Sequence, residues 1–243
     1  MIRIMNMMGS QIELLWETRE FMLNSRLNVS QNVKKGLNYN IILISVLILE
    51  GQSEELLYKI VNQYQNLYIK NYQLDLIDED EALVNNAKIL FRNSFDIIKQ
   101  NISKNTGIRH YLNMFNILLP ECRLSKEVEA LKESIQILYQ FRNVLAHGRA
   151  VQYEQREYFE FFNYDIPMKT EISFDGGYYK VQEYLIKKKL IDKRITEIRD
   201  TGILFSDEVS NHFVYIQKKF IKEWRKCVPF ELKEWIDEAE KLE

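Results

Sequence analysis

The sequence predicts an all-α chain, and three observations predict it. Glycine and proline are scarce, at 8 and 3 in 243 residues, with proline only at 120, 167 and 229. These residues punctuate regular structure, so long stretches are free to run as helices. Apolar residues recur at the 3.6-residue period of an amphipathic helix along much of the chain. Serine and acidic residues stand where several of those stretches begin, as a helix N-terminus favours.

The elements follow in order. "SQIELLWETREFML" (10–23) has apolar residues at 12, 15, 16, 22 and 23 and reads as a helix. "NVKKGLNYNIILISVLILE" (32–50) contains the longest apolar run, 41–49, and reads as a central helix buried on all sides. Nine residues are too few to span a bilayer. "SEELLYKIVNQYQNLYIKN" (53–71) opens on Ser53, Glu54 and Glu55 and keeps its period through 56, 57, 60, 61, 64, 67 and 68. "DEDEALVNNAKILFRNSFDIIKQN" (78–101) again starts acidic. Acids opening a helix explain that run better than a cation site does. A shorter helix over 108–120 is closed by Pro120. "SKEVEALKESIQILYQFRNVLAHG" (125–148) starts at Ser125 and stops at Gly148, the residue expected just past a helix C-terminus.

Beyond residue 150 the texture changes. "TEISFDGGYYKVQEY" (170–184) has two β-prone runs around Asp-Gly-Gly and predicts a small β-hairpin near 170–182. Further helices are expected at 183–200, 206–226 and 230–242. The whole, 1–243, reads as one helical bundle domain, its core at about 33–150 and its hairpin and extra helices at 151–243.

Composition restricts the function classes. Lys and Arg (33) nearly balance Asp and Glu (35), so a nucleic-acid contact must come from a local patch. Such a patch exists in "VSNHFVYIQKKFIKEWRK" (209–226). Val209, Phe213, Ile216, Phe220 and Trp224 share one helical face, while Lys218, Lys219, Lys222, Arg225 and Lys226 populate the other. The stripe is either a solvated face or a track for an RNA backbone. Cys122 and Cys227 stand alone, without metal-binding or disulfide spacing, and fit a reducing cytoplasm. The opening "MIRIMNMMGS" lacks the apolar core of a signal peptide. The expectations are therefore a cytoplasmic chain with no membrane, metal or cofactor requirement.

One short stretch carries chemistry. "FRNVLAHG" (141–148) sets Arg142, Asn143 and His147 on the last turns of a long helix. A histidine that titrates near neutrality suits general acid–base work, and the arginine fork suits a phosphorane. Asn143, four before His147, shares its face. Arg142 lies about 140° around the helix from His147, so the two heads meet most easily across a seam between two chains. The plainer alternatives are a helix-end histidine with a surface arginine, or a motif that binds RNA or nucleotide without cutting. His110 and His212 read as structural.

"RNVLAHG" at the end of a bundle helix resembles the R-x4-6-H motif of the HEPN superfamily, all-α bundles whose active members are metal-independent endoribonucleases. The resemblance implies catalytic roles for Arg142, His147 and Asn143. It also implies RNA as substrate; Arg149 and, from the basic stripe, Lys218, Lys219, Lys222 and Arg225 are the candidate contacts. It implies a homodimer and a setting in toxin–antitoxin or anti-phage defence, with an antitoxin or other defence partner. One branch carries a tyrosine two residues after the histidine; here that position is Arg149, and the next tyrosine is Tyr153. A non-catalytic RNA- or nucleotide-binding or interaction module is the alternative.

Overall fold

The computed structural model describes residues 2–75, 81–105, 107–146, 152–154, 171–173, 176–195, 198–230 and 232. The chain is all-α. Seven α-helices stand among the described residues: α1 (Ile2–Ser25), α2 (Gln31–Asp75), α3 (Glu81–Lys104), α4 (Ile108–Leu118), α5 (Lys126–Ala146), α6 (Gly176–Lys187) and α7 (Asp207–Lys226). Two three-residue strands, β1 (Gln152–Glu154) and β2 (Glu171–Ser173), pair antiparallel with Tyr153 opposite Ile172. No helix among the described residues is long and apolar enough to cross a membrane.

The chain divides into two compact units. Unit 1 comprises Met1–Glu17, Leu47–Leu131 and Lys218–Glu243; unit 2 comprises Thr18–Val46 and Lys132–Gln217. In unit 1 the core holds Leu56, Leu57, Ile60 and Val61 of α2, Tyr111 and Phe115 of α4, Val128 of α5, and Phe220 and Trp224 of α7. The Trp224 ring lies 5.6 Å from both Phe115 and Phe220, within the range of favourable aromatic pairs. In unit 2 the core holds Ile41, Ile42 and Val46 of α2, Ile135, Leu138 and Phe141 of α5, Val181 and Leu185 of α6, and Val209 and Phe213 of α7.

Local chemistry explains the ends. At α5, Ser125 accepts from the Val128 N–H at 3.1 Å through its hydroxyl and from the Glu129 N–H at 3.0 Å through its carbonyl. Ser206 does the same for α7, its hydroxyl 3.2 Å from the Val209 N–H. Asp207 and Glu208 follow in the first turn, and Arg225 and Lys226 occupy the last, so both ends of the α7 dipole are matched. The five residues read as its apolar face, Val209, Phe213, Ile216, Phe220 and Trp224, are all buried. Gly107, at φ 122°, gives α4 a start that a side chain would strain.

Three expectations need correction. The stretches at 32–50 and 53–71 form one helix of 45 residues. Ser53 does not cap a new helix: its hydroxyl donates back to the Leu49 carbonyl at 2.6 Å, satisfying itself inside the turn. Gly51 is carried through because a methyl group there would meet Ile12 Cγ1 of α1 at 2.8 Å. The hairpin near 170–182 is replaced. Its first arm is β2, but that strand pairs with β1, and the second arm is α6. Tyr178, Val181, Tyr184 and Leu185 are buried at successive spacings of three, three and one, forming a helical stripe that outweighs the β-propensity of their tyrosines and valine. The helix expected at 183–200 ends early. The Lys189 N–H bonds to Ile186 and the Leu190 N–H to Leu185, and Lys189 turns left-handed at φ 58°. A 3-10 helix over Ile198–Phe205 then leads to α7. Most of the helix expected at 230–242 lies outside the described residues.

Candidate functional site

The polar end of α5 is held by its apolar side. Leu138, Phe141 and Val144 are buried. The Phe141 ring stacks on Phe205 at 6.1 Å and 12° and meets Phe213 at 5.8 Å. In the last turn, the Tyr39 hydroxyl donates to the Leu145 carbonyl at 3.4 Å, covering one of the acceptors a helix end leaves open. The helix phase then leaves Arg142 half-buried and Asn143 exposed. The Arg142 Nη1–H donates to Asn143 Oδ1 at 2.9 Å. The two motif residues therefore form one polar unit of adjacent side chains on a rigidly packed helix. His147 and Arg149 lie outside the described residues.

The basic contacts read from the sequence fall on the unit 1 portion of α7. Lys218 and Lys222 are exposed, and Lys219 and Arg225 are half-buried. The Lys218 ammonium sits 4.9 Å from the centre of the Trp16 ring, a cation–π distance. Glu223 is the acid within this stripe. The bond from Lys226 at 2.8 Å, with the charges of Lys222 and Lys219, holds its carboxyl below the usual range.

The two other histidines have local partners. His110 Nε2–H donates to the Asn101 carbonyl at 2.9 Å, near the end of α3. His212 Nε2 and the Tyr184 hydroxyl share a 2.8 Å hydrogen bond. Burial, then the nearby Lys188 charge, pushes the His212 imidazole below its ordinary value of 6.5.

Sequence reasoning missed a buried polar network in unit 2. Arg26 is 7% exposed. Its Nη1–H donates to Asn38 Oδ1 and Ser210 Oγ, both at 2.8 Å, and its Nη2–H to Asn211 Oδ1 at 2.6 Å. Asn38 Nδ2–H donates to Asp207 Oδ1 at 2.8 Å, and Lys34 reaches Asp207 Oδ2 at 2.7 Å. Burial alone would raise the Asp207 carboxyl. The bonds from Asn38 and Lys34 and the charges of Arg26 and Lys34 outweigh it and hold that carboxyl below its ordinary 3.8. Arg19, fully buried, donates to Gln217 Oε1 at 2.8 Å, and burial lowers its guanidinium to about 10 against the opposing pull of Glu20. A signal existed: Asn38 sits among the apolar residues of α2 at a core position. Comparison of the chain with protein-family models, with curated proteins and with solved structures finds no match.

Proposed function

We propose that this chain is a metal-independent endoribonuclease of the HEPN type, acting in the cytoplasm within a toxin–antitoxin or anti-phage defence system. One observation carries the reading. Arg142 and Asn143 form a single polar unit on a packed helix end, within the sequence R-N-x-x-A-H-G. In the proposed reaction the ribose 2′-oxygen attacks phosphorus and the bond from phosphorus to the 5′-oxygen breaks. His147 takes the 2′-hydroxyl proton or gives one to the departing 5′-oxygen. Arg142 places paired donors on the charged phosphorane, and Asn143 holds the guanidinium in position. The products are a 2′,3′-cyclic phosphate and a 5′-hydroxyl end.

Arg149 and, in unit 1, Lys218, Lys219, Lys222 and Arg225 are read as RNA contacts, with affinity that falls as salt rises. On an ideal helix, side chains five residues apart, as Arg142 and His147 are in sequence, would point about 140° apart. A twofold homodimer that pairs one chain's arginine with the other's histidine resolves that mismatch.

Total RNA incubated in EDTA tests both points. The wild type is expected to cleave about 10²–10⁴-fold faster than His147→Ala or Arg142→Ala. A mixture of the two variants is expected to regain part of the activity through mixed dimers. Equal cleavage by wild type and His147→Ala rejects the catalytic reading. A mixture as inactive as its parents rejects the shared site.

A further inference from the structure

The end of α5 carries Arg142 and Asn143 and takes a donor from another helix. A helix end leaves its final carbonyls without partners inside the helix. In α7 the last turn holds Arg225 and Lys226, cations that suit such an end. The last turn of α5 holds no basic residue. Its donor comes from α2: the Tyr39 hydroxyl bonds to the Leu145 carbonyl at 3.4 Å, 106 positions away in sequence.

Tyr39 is itself held by Phe205. The two rings meet edge to face with centres 5.5 Å apart. Asn38, the residue before Tyr39, donates from Nδ2 to the Phe205 carbonyl at 2.9 Å. Asn38 is 1% exposed and accepts a 2.8 Å bond from Arg26 at Oδ1, so its own position is fixed. Consecutive residues of α2 thus grip the ring and the backbone of Phe205. The Phe205 ring in turn stacks on buried Phe141. Phe141 and Leu145 stand one turn apart on one face of α5. The helix is therefore anchored twice within one turn, at Phe141 by the Phe205 ring and at Leu145 by the Tyr39 hydroxyl. Arg142 and Asn143 lie between the two anchors in sequence. Every residue of this chain of contacts belongs to unit 2.

We propose that Tyr39 is a positioning residue for RNA cleavage, its hydroxyl fixing the last turn of α5 and so setting how Arg142 is presented to the phosphate. The inference rests on the cleavage reading and adds to it a group that touches no RNA. A phenylalanine would supply the same ring against Phe205, so the hydroxyl is the part that reaches the α5 backbone. Its bond falls three positions after Arg142 and two before His147 in sequence. Misplacing a reacting group by about 1 Å can cost on the order of 10²-fold in rate, even from a distant substitution.

The test compares the full chain with Tyr39→Phe, which keeps the ring and deletes the donor. Tyr58→Phe is the control, since it deletes a hydroxyl bonded to Ser103 and to the Lys99 carbonyl in unit 1. Cleavage of a fluorophore–quencher RNA of mixed sequence is followed in EDTA. Tyr39→Phe is expected to lower kcat about tenfold with KM unchanged, the mark of an arrangement that matters only in the transition state. Replacing Tyr39 by 4-aminophenylalanine keeps a donor at the same place and is expected to restore most of the rate. Tyr58→Phe is expected to keep the wild-type kcat. A second readout needs no RNA. Hydrogen exchange at the Val144 and Leu145 amides is expected to quicken about fivefold in Tyr39→Phe, the scale of one hydrogen bond, and to stay unchanged at Ile135.

Equal kcat for wild type and Tyr39→Phe overturns the proposal and leaves the cleavage reading standing. Unchanged exchange at the end of α5 overturns it as well. Equal losses in Tyr39→Phe and Tyr58→Phe do the same, because the effect would then belong to any lost hydroxyl. A wild type that never cuts RNA retires the cleavage reading, and exchange alone then decides whether Tyr39 sets the end of α5.

Discussion

Arg26 and Arg142 are the same residue type in opposite circumstances. Arg26 is almost wholly enclosed, and its partners Asn38, Ser210 and Asn211 come from two different helices. Arg142 is half-buried, and its partner among the described residues is its own neighbour, Asn143. A guanidinium whose donors are spent on distant segments holds those segments together. One whose described partner is its neighbour in sequence ties no distant segments together. The difference separates a structural arginine from a candidate for chemistry without reference to any other protein.

Substitution of each arginine is the strongest test of that contrast. Arg26→Ala strands the Asn38, Ser210 and Asp207 groups and is expected to cost about 3–5 kcal/mol of stability, read as a lower urea midpoint. Arg142→Ala is expected to stay within about 0.5 kcal/mol of wild type while losing RNA cleavage. A large stability loss in Arg142→Ala, or none in Arg26→Ala, would erase the distinction.

Two glycines in α2 sharpen the same point on a smaller scale. At Gly51 a methyl group meets Ile12 Cγ1 at 2.8 Å, whereas at Gly36 it meets nothing within 4 Å. Gly51→Ala is expected to lose about 1 kcal/mol or more net of its gain in helix propensity. Gly36→Ala is expected to gain about 0.5–1 kcal/mol. Thermal melts of the two variants should move in opposite directions, and a shift of the same sign in both would show that propensity alone governs this helix.

The smallest effect concerns His212. Its folded imidazole resists protonation more than the unfolded one, whose ordinary value is 6.5. The stabilisation is therefore complete above 6.5 and is lost as pH falls from there through the lower folded value. Urea midpoints of wild type should drop between about pH 7.5 and 5 more steeply than those of His212→Gln. Parallel curves would assign the pH dependence to other groups.

How legible each part was follows from how local its cause is. The α7 helix was legible because Ser206, its two leading acids, its apolar stripe and its basic end all lie within one stretch of about twenty residues. The place of Arg142 and Asn143 on a helix was legible for the same reason. The second arm of the expected hairpin was misread because tyrosine and valine suit a strand, and only burial along a 3.6 period reveals α6. The join at Gly51 depends on Ile12, thirty-nine positions away. The network around Arg19 and Arg26 was least legible: Arg19 and Gln217 are 198 positions apart, and no window along the sequence brings them together. The open cleft lined by Lys34, Asn38, Ile203 and Asp207 belongs to that class, since its walls come from the beginning of α2, the 3-10 helix at Ile198–Phe205 and the beginning of α7.

Trp224, caged by Phe115 and Phe220, has an optical consequence. The three tryptophans of the chain stand at 16, 224 and 235, and all three positions belong to the segments of unit 1. Unit 2 carries none. Indole emission is therefore a private reporter of one unit, while backbone dichroism sums over both. Any denaturant that loosens the two at different concentrations will pull the two optical traces apart, and coincident traces are the mark of one cooperative whole.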